Sequence, residues 1–97
     1  MASNNLSFAL GLAQKAGKVA SGDVAVKIAL KSGKAKLLLV AEDAAVNSKK
    51  DLYYLAESFN VPVMEAMTRD ELGFAIGKAK RTALVITDRN FVNMIKK

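Results

Sequence analysis

Two short apolar runs constrain the fold of this chain more than any other feature of its sequence. Residues 37–41 are all apolar, and residues 83–87 repeat the pattern up to a closing threonine. A strand that is apolar at every position has to be covered on both faces, because water would otherwise meet one row of its side chains. Both runs are therefore expected to be strands in the middle of a sheet, with helices on either side.

Helical and strand patterns alternate along the rest of the chain. We predict short strands at residues 18–20 and 61–64, with Pro62 in the first residues of its strand or on a sheet edge, because proline cannot donate a ladder hydrogen bond. At 97 residues the chain can bury one core. The expected fold is α/β, a three-layer α/β/α sandwich with a small mixed sheet of about four strands, formed as one domain over residues 1–97.

Local signals predict how the second helix begins and which face it buries. Ser21 is a favoured N-cap residue, and it stands directly before a helical pattern that ends at Gly33. The inner stripe of this helix is predicted to consist of four apolar residues, Val24, Ala25, Ile28 and Ala29.

Three later helices also carry start signals. Ser48 with Asp51, and Thr68 with Glu71, have the spacing of a capping box. Asp88 is expected to cap the last helix. The inner face of that helix is predicted to consist of three apolar residues, Phe91, Met94 and Ile95.

Positive charge is concentrated in two segments of a chain whose net charge is +6. Residues 14–36 hold six lysines against Asp23 alone, and the segment from Lys78 onward holds six cations against Asp88 alone. If the fold brings the two segments together, they form the electrostatic surface of a polyanion binder. Charge alone leaves open a second interpretation, a lysine-rich surface that only keeps a small protein in solution.

Glycine accompanies the lysines in three turns. Residues 14–23 connect a first helix, predicted over residues 5–16, to the second one, and the exposed N–H groups at that helix start beside Lys15 and Lys18 favour an anion. The tetrapeptide Gly-Lys-Ala-Lys occurs at residues 33–36 and again at residues 77–80, each time between a helix and an apolar strand. The simpler explanation of the repeat is ordinary helix-to-strand punctuation, but the repeat also predicts that the two turns lie at the same edge of the sheet.

Several classes of function lose support. The chain has no cysteine and no histidine, so the commonest catalytic base, thiolate nucleophiles and most transition-metal ligands are missing. Glu42 and Asp43 form the only tight carboxylate pair at a strand end, and loop hydrogen bonding is a simpler role for them than metal or acid–base chemistry. Tyr53 and Tyr54 are weak candidates for stacking on bases. We expect no enzyme activity, cofactor, metal or membrane span.

The residues of several segments together resemble one known family. Residues 12–22, 32–44, 61–63, 71–73 and 86–88 look like the kink-turn-binding ribosomal protein family, the large-subunit "seven-Ae" family, which has short bacterial members. The resemblance implies a three-layer α/β/α sandwich. It also implies binding of a kink-turn, a bent RNA duplex with tandem sheared G·A pairs, by the start of the second helix and by a loop before the last strand.

The resemblance assigns positions to this interface. Gly22 keeps the family's glycine, whereas Val24 and Ala25 stand at its Asn-Glu positions and Ile28 stands at its lysine position. The loop that covers a flipped-out nucleotide corresponds to residues 78–82. The predicted RNA-binding residues are Lys15, Lys18, Ser21, Gly22, Asp23, Val24, Lys27, Lys34, Lys49, Lys78, Lys80 and Arg81.

Two functions from different classes follow. The first is a non-catalytic, cytoplasmic and ribosome-associated protein that binds structured RNA such as ribosomal RNA, alongside other ribonucleoprotein components. The second is a protein-interaction module with the same fold that has lost specific RNA recognition, as the absence of the Asn-Glu pair allows. The first depends on the turn at residues 18–22 and the turn at residues 78–81 meeting at one rim of the molecule.

Overall fold

The structure is a computed structural model that describes residues 2–96, with side chains from residue 5 onward. Helices and strands alternate within this range, as predicted. The helices are α1 (Ala2–Lys15), α2 (Asp23–Lys31), α3 (Val46–Ser58), α4 (Arg69–Ala75) and α5 (Arg89–Lys96). The strands are β1 (Val19–Ser21), β2 (Leu37–Val40), β3 (Val63–Glu65) and β4 (Ala83–Ile86).

The four strands form one mixed sheet in the order β1-β4-β2-β3. Strands β2 and β4 occupy the two central positions and every residue in them is buried, which confirms the prediction from the two apolar runs. Pro62 precedes the edge strand β3 and contributes only its carbonyl, which accepts a hydrogen bond from the Leu38 N–H at 2.9 Å. Because β4 is antiparallel to both of its neighbours, while β2 and β3 are parallel, the sheet is mixed.

Helices cover both faces of the sheet and close the core. Helix α1 packs against α4 and α5 in one layer, and α2 packs against α3 in the other. The buried residues of all these elements form one apolar cluster, with the leucines and valines of β2 and β4 at its centre. The predicted α/β/α sandwich is therefore confirmed.

The direction of β4 determines what lies at each end of the sheet. Leu37 pairs with Ile86 and Val40 pairs with Ala83, so β4 begins where β2 ends. We call the end where β1, β2 and β3 finish and β4 begins the front edge; it carries residue 22 and residues 41–45, 66–68 and 79–82. The opposite end is the rear edge, with residues 16–18, 32–36, 59–62 and 87–88.

Two predicted helix starts are wrong. Ser21 is the last residue of β1, and the N-cap position of α2 belongs to Gly22, which makes no side-chain capping bond. Ser48 lies inside α3, whose N-cap is Ala45. The capping box of α4 is confirmed, because the Glu71 N–H donates to Thr68 Oγ1 at 3.2 Å and the Thr68 N–H donates to Glu71 Oε1 at 2.8 Å.

Two predicted helix faces are correct only in part: Ala29 of α2 and Phe91 and Ile95 of α5 pack on the core as predicted. In α2 the side chains of Val24 and Ile28 are 72% and 62% exposed, and the buried positions are Val26, Ala29 and Leu30. Six of the nine residues of α2 are apolar, so their spacing fits more than one inward face. In α5 the residue that packs deepest is Val92, whereas Met94 is exposed; Asp88 does cap this helix by accepting from the Asn90 N–H at 2.8 Å.

Candidate nucleic-acid interface

A cleft of about 330 Å³ opens at the front edge between the starts of α2 and α3 and the segment that leads into β4. It forms because Ser21 of β1 pairs with Leu84 of β4, which places the residue after one strand beside the residues before the other. The cleft is lined by Gly22, Asp23, Val26, Lys27, Ser48, Asp51, Leu52, Lys80, Arg81, Thr82 and Ala83.

Both long helices that border the cleft begin without a side-chain cap. The N-cap positions of α2 and α3 are Gly22 and Ala45, and neither has a side chain that can accept a hydrogen bond. The first N–H groups of a helix have no partner within the helix, so they stay available to a ligand unless a side chain occupies them. Helices α4 and α5 differ, because Thr68 and Asp88 occupy theirs. The uncapped starts thus border the cleft, where they can receive an anion.

Gly22 is required by the backbone at this point. Its φ is +92°, a conformation that side chains disfavour, and a Cβ added there would meet no atom within 4 Å. The side of Gly22 where a Cβ would lie thus faces open space, at the point where the chain turns from β1 into α2. A ligand can approach the backbone closely at the entrance of the cleft.

The opposite wall is the segment 79–82, which rests directly on α4. A methyl group added at Gly73 would overlap the Ala79 carbonyl and crowd the Lys80 Cα, so only glycine permits this contact. The Gly73 carbonyl also accepts a hydrogen bond from the Lys78 N–H at 2.8 Å. Lys78 therefore sits behind the wall, beside the end of α4, whereas Lys80 lines the cleft itself.

Arg81 is fixed by the backbone around it. Its N–H donates to the Arg69 carbonyl at 3.0 Å, and its Nη1 donates to the carbonyls of Ala79 and Lys80, each at 3.1 Å. Its Nε is buried and has no hydrogen-bond partner within the described residues. The guanidinium is thus held at the cleft with Nη2, which makes no hydrogen bond among the described residues, left to donate to a ligand. No acid neutralises it in the part of the chain that the structure describes.

Lys49, another predicted contact, is engaged elsewhere at the front edge. Its Nζ donates to the Glu42 carbonyl at 2.8 Å and forms an ion pair with Glu65 at 3.0 Å. The Tyr53 hydroxyl donates to the same carboxylate, and this bond, followed by Lys49, holds the pKa of Glu65 below its usual value. The same bond raises the pKa of Tyr53 to about 12. Lys49 is therefore a less available cation than Lys80 or Lys27.

Of the two carboxylates at the end of β2, that of Asp43 makes the loop hydrogen bond that the sequence predicted, whereas Glu42 takes part through its backbone. Asp43 accepts a hydrogen bond from the Arg69 N–H at 2.8 Å, and Arg69 Nε lies 3.5 Å away, within ion-pair range but without hydrogen-bond geometry. This N–H bond, together with the guanidinium charge, lowers the pKa of Asp43. No group of three potential metal ligands exists among the residues described.

The predicted single patch is divided by the sheet. Gly22, Asp23, Lys27, Lys80 and Arg81 meet at the front cleft, and Val24 is exposed on the same helix start. The other lysines lie at the rear edge: the Lys18 carbonyl accepts from the Thr87 N–H at 2.9 Å, Lys15 ends α1, and Lys34 lies in the turn between α2 and β2. The prediction that the two Gly-Lys-Ala-Lys turns share an edge is wrong, because β2 and β4 run in opposite directions.

Sequence reasoning missed the contribution of α3 to the cleft. Ser48 and Asp51 were assigned to a capping box, yet both line the cleft from inside the first turns of the helix. Their position depends on α3 starting at the same edge where β4 starts, and strand direction cannot be read from the local sequence. The signal that was available is the polar pair itself, which α3 places on the face toward α2.

The fold and the cleft define a class of protein: an α/β/α sandwich whose sheet ends in a cationic cleft beneath two uncapped helix starts. A model of the ribosomal protein L7Ae/L30e/S12e/Gadd45 family matches residues 4–95, and the chain belongs to this family. This membership supports the expectation that the protein is not an enzyme. No helix within residues 2–96 combines the length and apolar character that crossing a membrane requires.

Individual relatives agree with this assignment. The chain is 37% identical to the RNA-binding protein YlxQ of Bacillus subtilis over 89% of its own length and 86% of the relative's. It is 36% identical to the large ribosomal subunit protein eL30 of Candida albicans, over 79% of the chain and 74% of that protein. A solved structure from Bacillus halodurans, described as a protein with unknown function, superposes with a TM-score of 0.85 at 31% identity, covering 98% of this chain and 99% of that one.

Proposed function

We propose that the protein is a cytoplasmic, ribosome-associated RNA-binding protein that recognises kink-turn RNA, such as a ribosomal RNA element, with its front cleft. The observation that carries the proposal is the meeting of Gly22 with Lys80 and Arg81 across one cleft, although they are about 60 residues apart in sequence. Family membership and the names of two YlxQ relatives, each an RNA-binding protein, support it.

The chemistry of the cleft suits a nucleic acid with both backbone and bases in reach. Lys27, Lys80 and Arg81 supply positive charge for phosphates, and the open N–H groups of α2 and α3 add donors. Asp23 and Asp51 would repel phosphate, but a carboxylate accepts hydrogen bonds from the amino groups on base edges. We therefore assign the cations to positioning and the two acids to base contacts.

The structure reduces the set of residues proposed for this interface. Its members are Gly22, Asp23, Val24, Lys27, Lys80 and Arg81, with Lys78 behind them. Two predicted residues do not line the cleft: Ser21 is paired in β1, where it positions Gly22, and Lys49 forms an ion pair with Glu65. Lys15, Lys18 and Lys34 are excluded from the cleft because they lie at the rear edge.

The test is a titration of a kink-turn RNA and of the same RNA with its tandem G·A pairs changed to Watson–Crick pairs. Wild-type protein is expected to prefer the kink-turn at least about tenfold, which corresponds to about 1.4 kcal/mol. Lys80→Gln with Arg81→Gln should weaken kink-turn binding by about tenfold or more and reduce the slope of log affinity against log salt by about two, since each phosphate contact contributes roughly one.

A matched control removes one arginine and one lysine from α5, with Arg89→Gln and Lys96→Gln. This variant has the same net charge as the front variant, and its substitutions lie outside the cleft. Equal weakening by both variants would show that only total charge matters. Equal affinity for the two RNAs would reject kink-turn recognition.

An exposed aliphatic pair favours a second candidate function. Val24 and Ile28 are one helical turn apart on α2 and are 72% and 62% exposed, at positions where the resembled family has polar residues. Such a pair suits an apolar partner surface, and the second candidate is a protein-interaction module. Failure to bind either RNA even at low salt would reject RNA binding and favour this module.

A further inference from the structure

The rear edge gathers a second group of cations that the front cleft does not use. We call Lys15, Lys18, Lys31, Lys34 and Lys36 the rear lysine cluster; the first four are exposed and Lys36 is half-buried. They come from the end of α1, the end of α2 and the residues that lead into β1 and β2. The antiparallel direction of β4 is what separates them from Lys80 and Arg81.

Backbone hydrogen bonds fix the spacing of this cluster. The Lys18 carbonyl accepts from the Thr87 N–H at 2.9 Å, and the Lys36 N–H donates to the Ile86 carbonyl at 2.8 Å. Lys18 and Lys36 therefore flank the end of β4 on its two neighbouring strands, about 10 Å apart, or twice the interstrand spacing. This separation corresponds to about three base-pair steps along the axis of a duplex, in which each strand carries one phosphate per ~3.4 Å of axis.

No ion pair among the side chains of residues 5–96 neutralises the charge of the cluster. Neither ion pair found among the described side chains involves these lysines, since one joins Lys49 to Glu65 and the other joins Arg69 to Asp43. Two acids belong to the elements that reach this edge. Asp88 is engaged in capping α5, and Glu57 lies in the last turn of α3.

Stabilisation of helix ends accounts for only part of the cluster. Lys15 and Lys31 are last residues of helices, where a cation interacts favourably with the terminal carbonyls. Lys18, Lys34 and Lys36 follow Gly17 or Gly33, beyond the helix ends. These three project from loops between strands and helices, and their positive charge has no such structural role.

The cluster and the cleft face opposite ends of the sheet. Lys18 and Gly22 are separated by the length of β1, roughly 13 Å at 3.3 Å per residue. A cation in the rear turn therefore cannot share a phosphate with Arg81. The two surfaces are able to bind two nucleic-acid segments at the same time.

We propose that the rear lysine cluster binds the phosphate backbone of a second RNA segment without sequence preference, so that one molecule joins two RNA segments. Phosphate binding by the rear lysine cluster is independent of the proposed kink-turn recognition. The joining of two segments needs both surfaces and therefore rests on the proposed function. Lysine is a flexible point charge with no planar pattern of donors, which suits contacts to phosphate and gives little base discrimination.

The test uses a rear variant, Lys18→Gln with Lys34→Gln, and a control of equal charge, Lys50→Gln with Lys96→Gln. Both rear side chains are exposed, and the hydrogen bonds at this edge use the backbone, so folding should be unchanged and is checked by thermal unfolding. Fluorescence anisotropy with a plain RNA duplex of fixed sequence measures rear binding. The rear variant is expected to bind this duplex about tenfold more weakly than the control, with a salt slope reduced by about two.

Joining is measured with an immobilised kink-turn RNA that is saturated with protein and then exposed to labelled plain duplex. Wild-type protein and the control should retain the duplex, whereas the rear variant should bind the kink-turn within about twofold of wild type and lose the duplex. The front variant, Lys80→Gln with Arg81→Gln, should still bind plain duplex in solution.

The outcomes separate the two proposals. Equal binding of plain duplex by the rear variant and the control overturns the rear surface, whether or not the kink-turn binds. If wild-type protein shows no preference for the kink-turn while the rear variant binds plain duplex more weakly than the control, the front proposal is rejected and the rear proposal is supported. Binding of poly-glutamate as tight as that of the duplex overturns the assignment to RNA, since a carboxylate polymer would then serve equally well.

Discussion

The same tetrapeptide, Gly-Lys-Ala-Lys, forms two turns of this molecule and ends in two different places. The rear turn, residues 33–36, follows α2 and leads into β2, and the front turn, residues 77–80, follows α4 and leads into β4. Both begin on a glycine with positive φ, +79° at Gly33 and +71° at Gly77. The local backbone is thus alike, but antiparallel pairing sends the two turns toward opposite ends of the sheet.

The turns also differ in what supports them. In the rear turn Ala35 is buried in the core, and Lys36 is bonded to β4 through its N–H. In the front turn Ala79 is exposed and its backbone rests on Gly73 of α4. A short sequence therefore specifies the shape of a turn, whereas strand direction and the neighbouring helix decide which surface it builds.

Gly73→Ala should break the front turn and leave the rear turn intact. The added methyl group overlaps the Ala79 carbonyl, and overpacking of this kind costs about 1–3 kcal/mol in the free energy of unfolding. Urea unfolding measures the loss, and RNA binding at the front cleft should weaken as the wall shifts. Gly11→Ala is the matched control: its methyl group would lie 3.4 Å from the Ala75 carbonyl oxygen, and a better helix former should stabilise by up to about 1 kcal/mol. Equal effects of the two substitutions would contradict the close contact.

Gly33→Ala and Gly77→Ala should affect the two turns equally. Neither position has an atom within 4 Å of an added Cβ, so the cost is only that of the left-handed backbone, about 1–2 kcal/mol each. Thermal or urea unfolding of both variants tests whether the turns share one backbone requirement. If the losses of unfolding free energy of the two variants differ by more than about 1 kcal/mol, the neighbouring structure also affects the cost of replacing the glycine that begins each turn.

Side-chain capping should matter more at the front turn than at the rear turn. Thr68→Ala removes a reciprocal capping box from the helix that carries Gly73, at a cost of about 1 kcal/mol. Ser32→Ala removes the 3.0 Å hydrogen bond that Ser32 Oγ donates to the Ala29 carbonyl and a longer 3.4 Å contact from the Lys34 N–H. Because Ser32 is exposed at a helix end, the expected change is smaller, about 0.5 kcal/mol. Unfolding free energies in the reverse order would mean that Ser32 supports the rear turn.

The smallest expected effect depends on pH at the front edge. The Arg69 N–H lowers the pKa of Asp43 below its ordinary value of 3.8, so this carboxylate stabilises the folded state above that value. The contribution is lost as the pH falls through the lower, folded-state pKa. Asp43→Asn should therefore be slightly less stable than wild type at about pH 6, and the difference should shrink by about pH 3. Asp88→Asn is the rear counterpart, where asparagine remains a good cap; a constant difference for Asp43→Asn across this range would contradict the prediction.

The parts of the fold that follow from short-range rules were predictable from the sequence. The two apolar runs predicted central strands, and Thr68 with Glu71 predicted a helix start, because burial and capping depend on neighbouring residues. Ser21 misled for the same reason: a good N-cap type was paired into β1, where the ladder with Leu84 takes precedence. The inner face of α2 could not be chosen, since Val24 and Val26 are equally apolar.

The site was less accessible to sequence reasoning than the fold. Gly22, Lys80 and Arg81 were identified as candidates, but Lys18 and Lys34 were placed with them because the strand directions were unknown. Glycine and lysine patterns report local turns and charge. They carry no information on whether β4 runs up or down beside β2, and that one choice assigns every loop to its edge.

Because α2 and α3 begin without side-chain caps at the front edge, anion binding there depends less on charged side chains than anion binding at the rear edge does. Both helices point their N-termini at the front cleft and their C-termini at the rear edge, so their macrodipoles add about half a positive charge each at the front and half a negative charge each at the rear. Neutralising the lysines, as acetylation does, would therefore leave an attractive potential for anions in the cleft. At the rear edge the same modification would leave the carbonyl ends of α2 and α3 without nearby lysine charges, so the attraction for anions there would be lost.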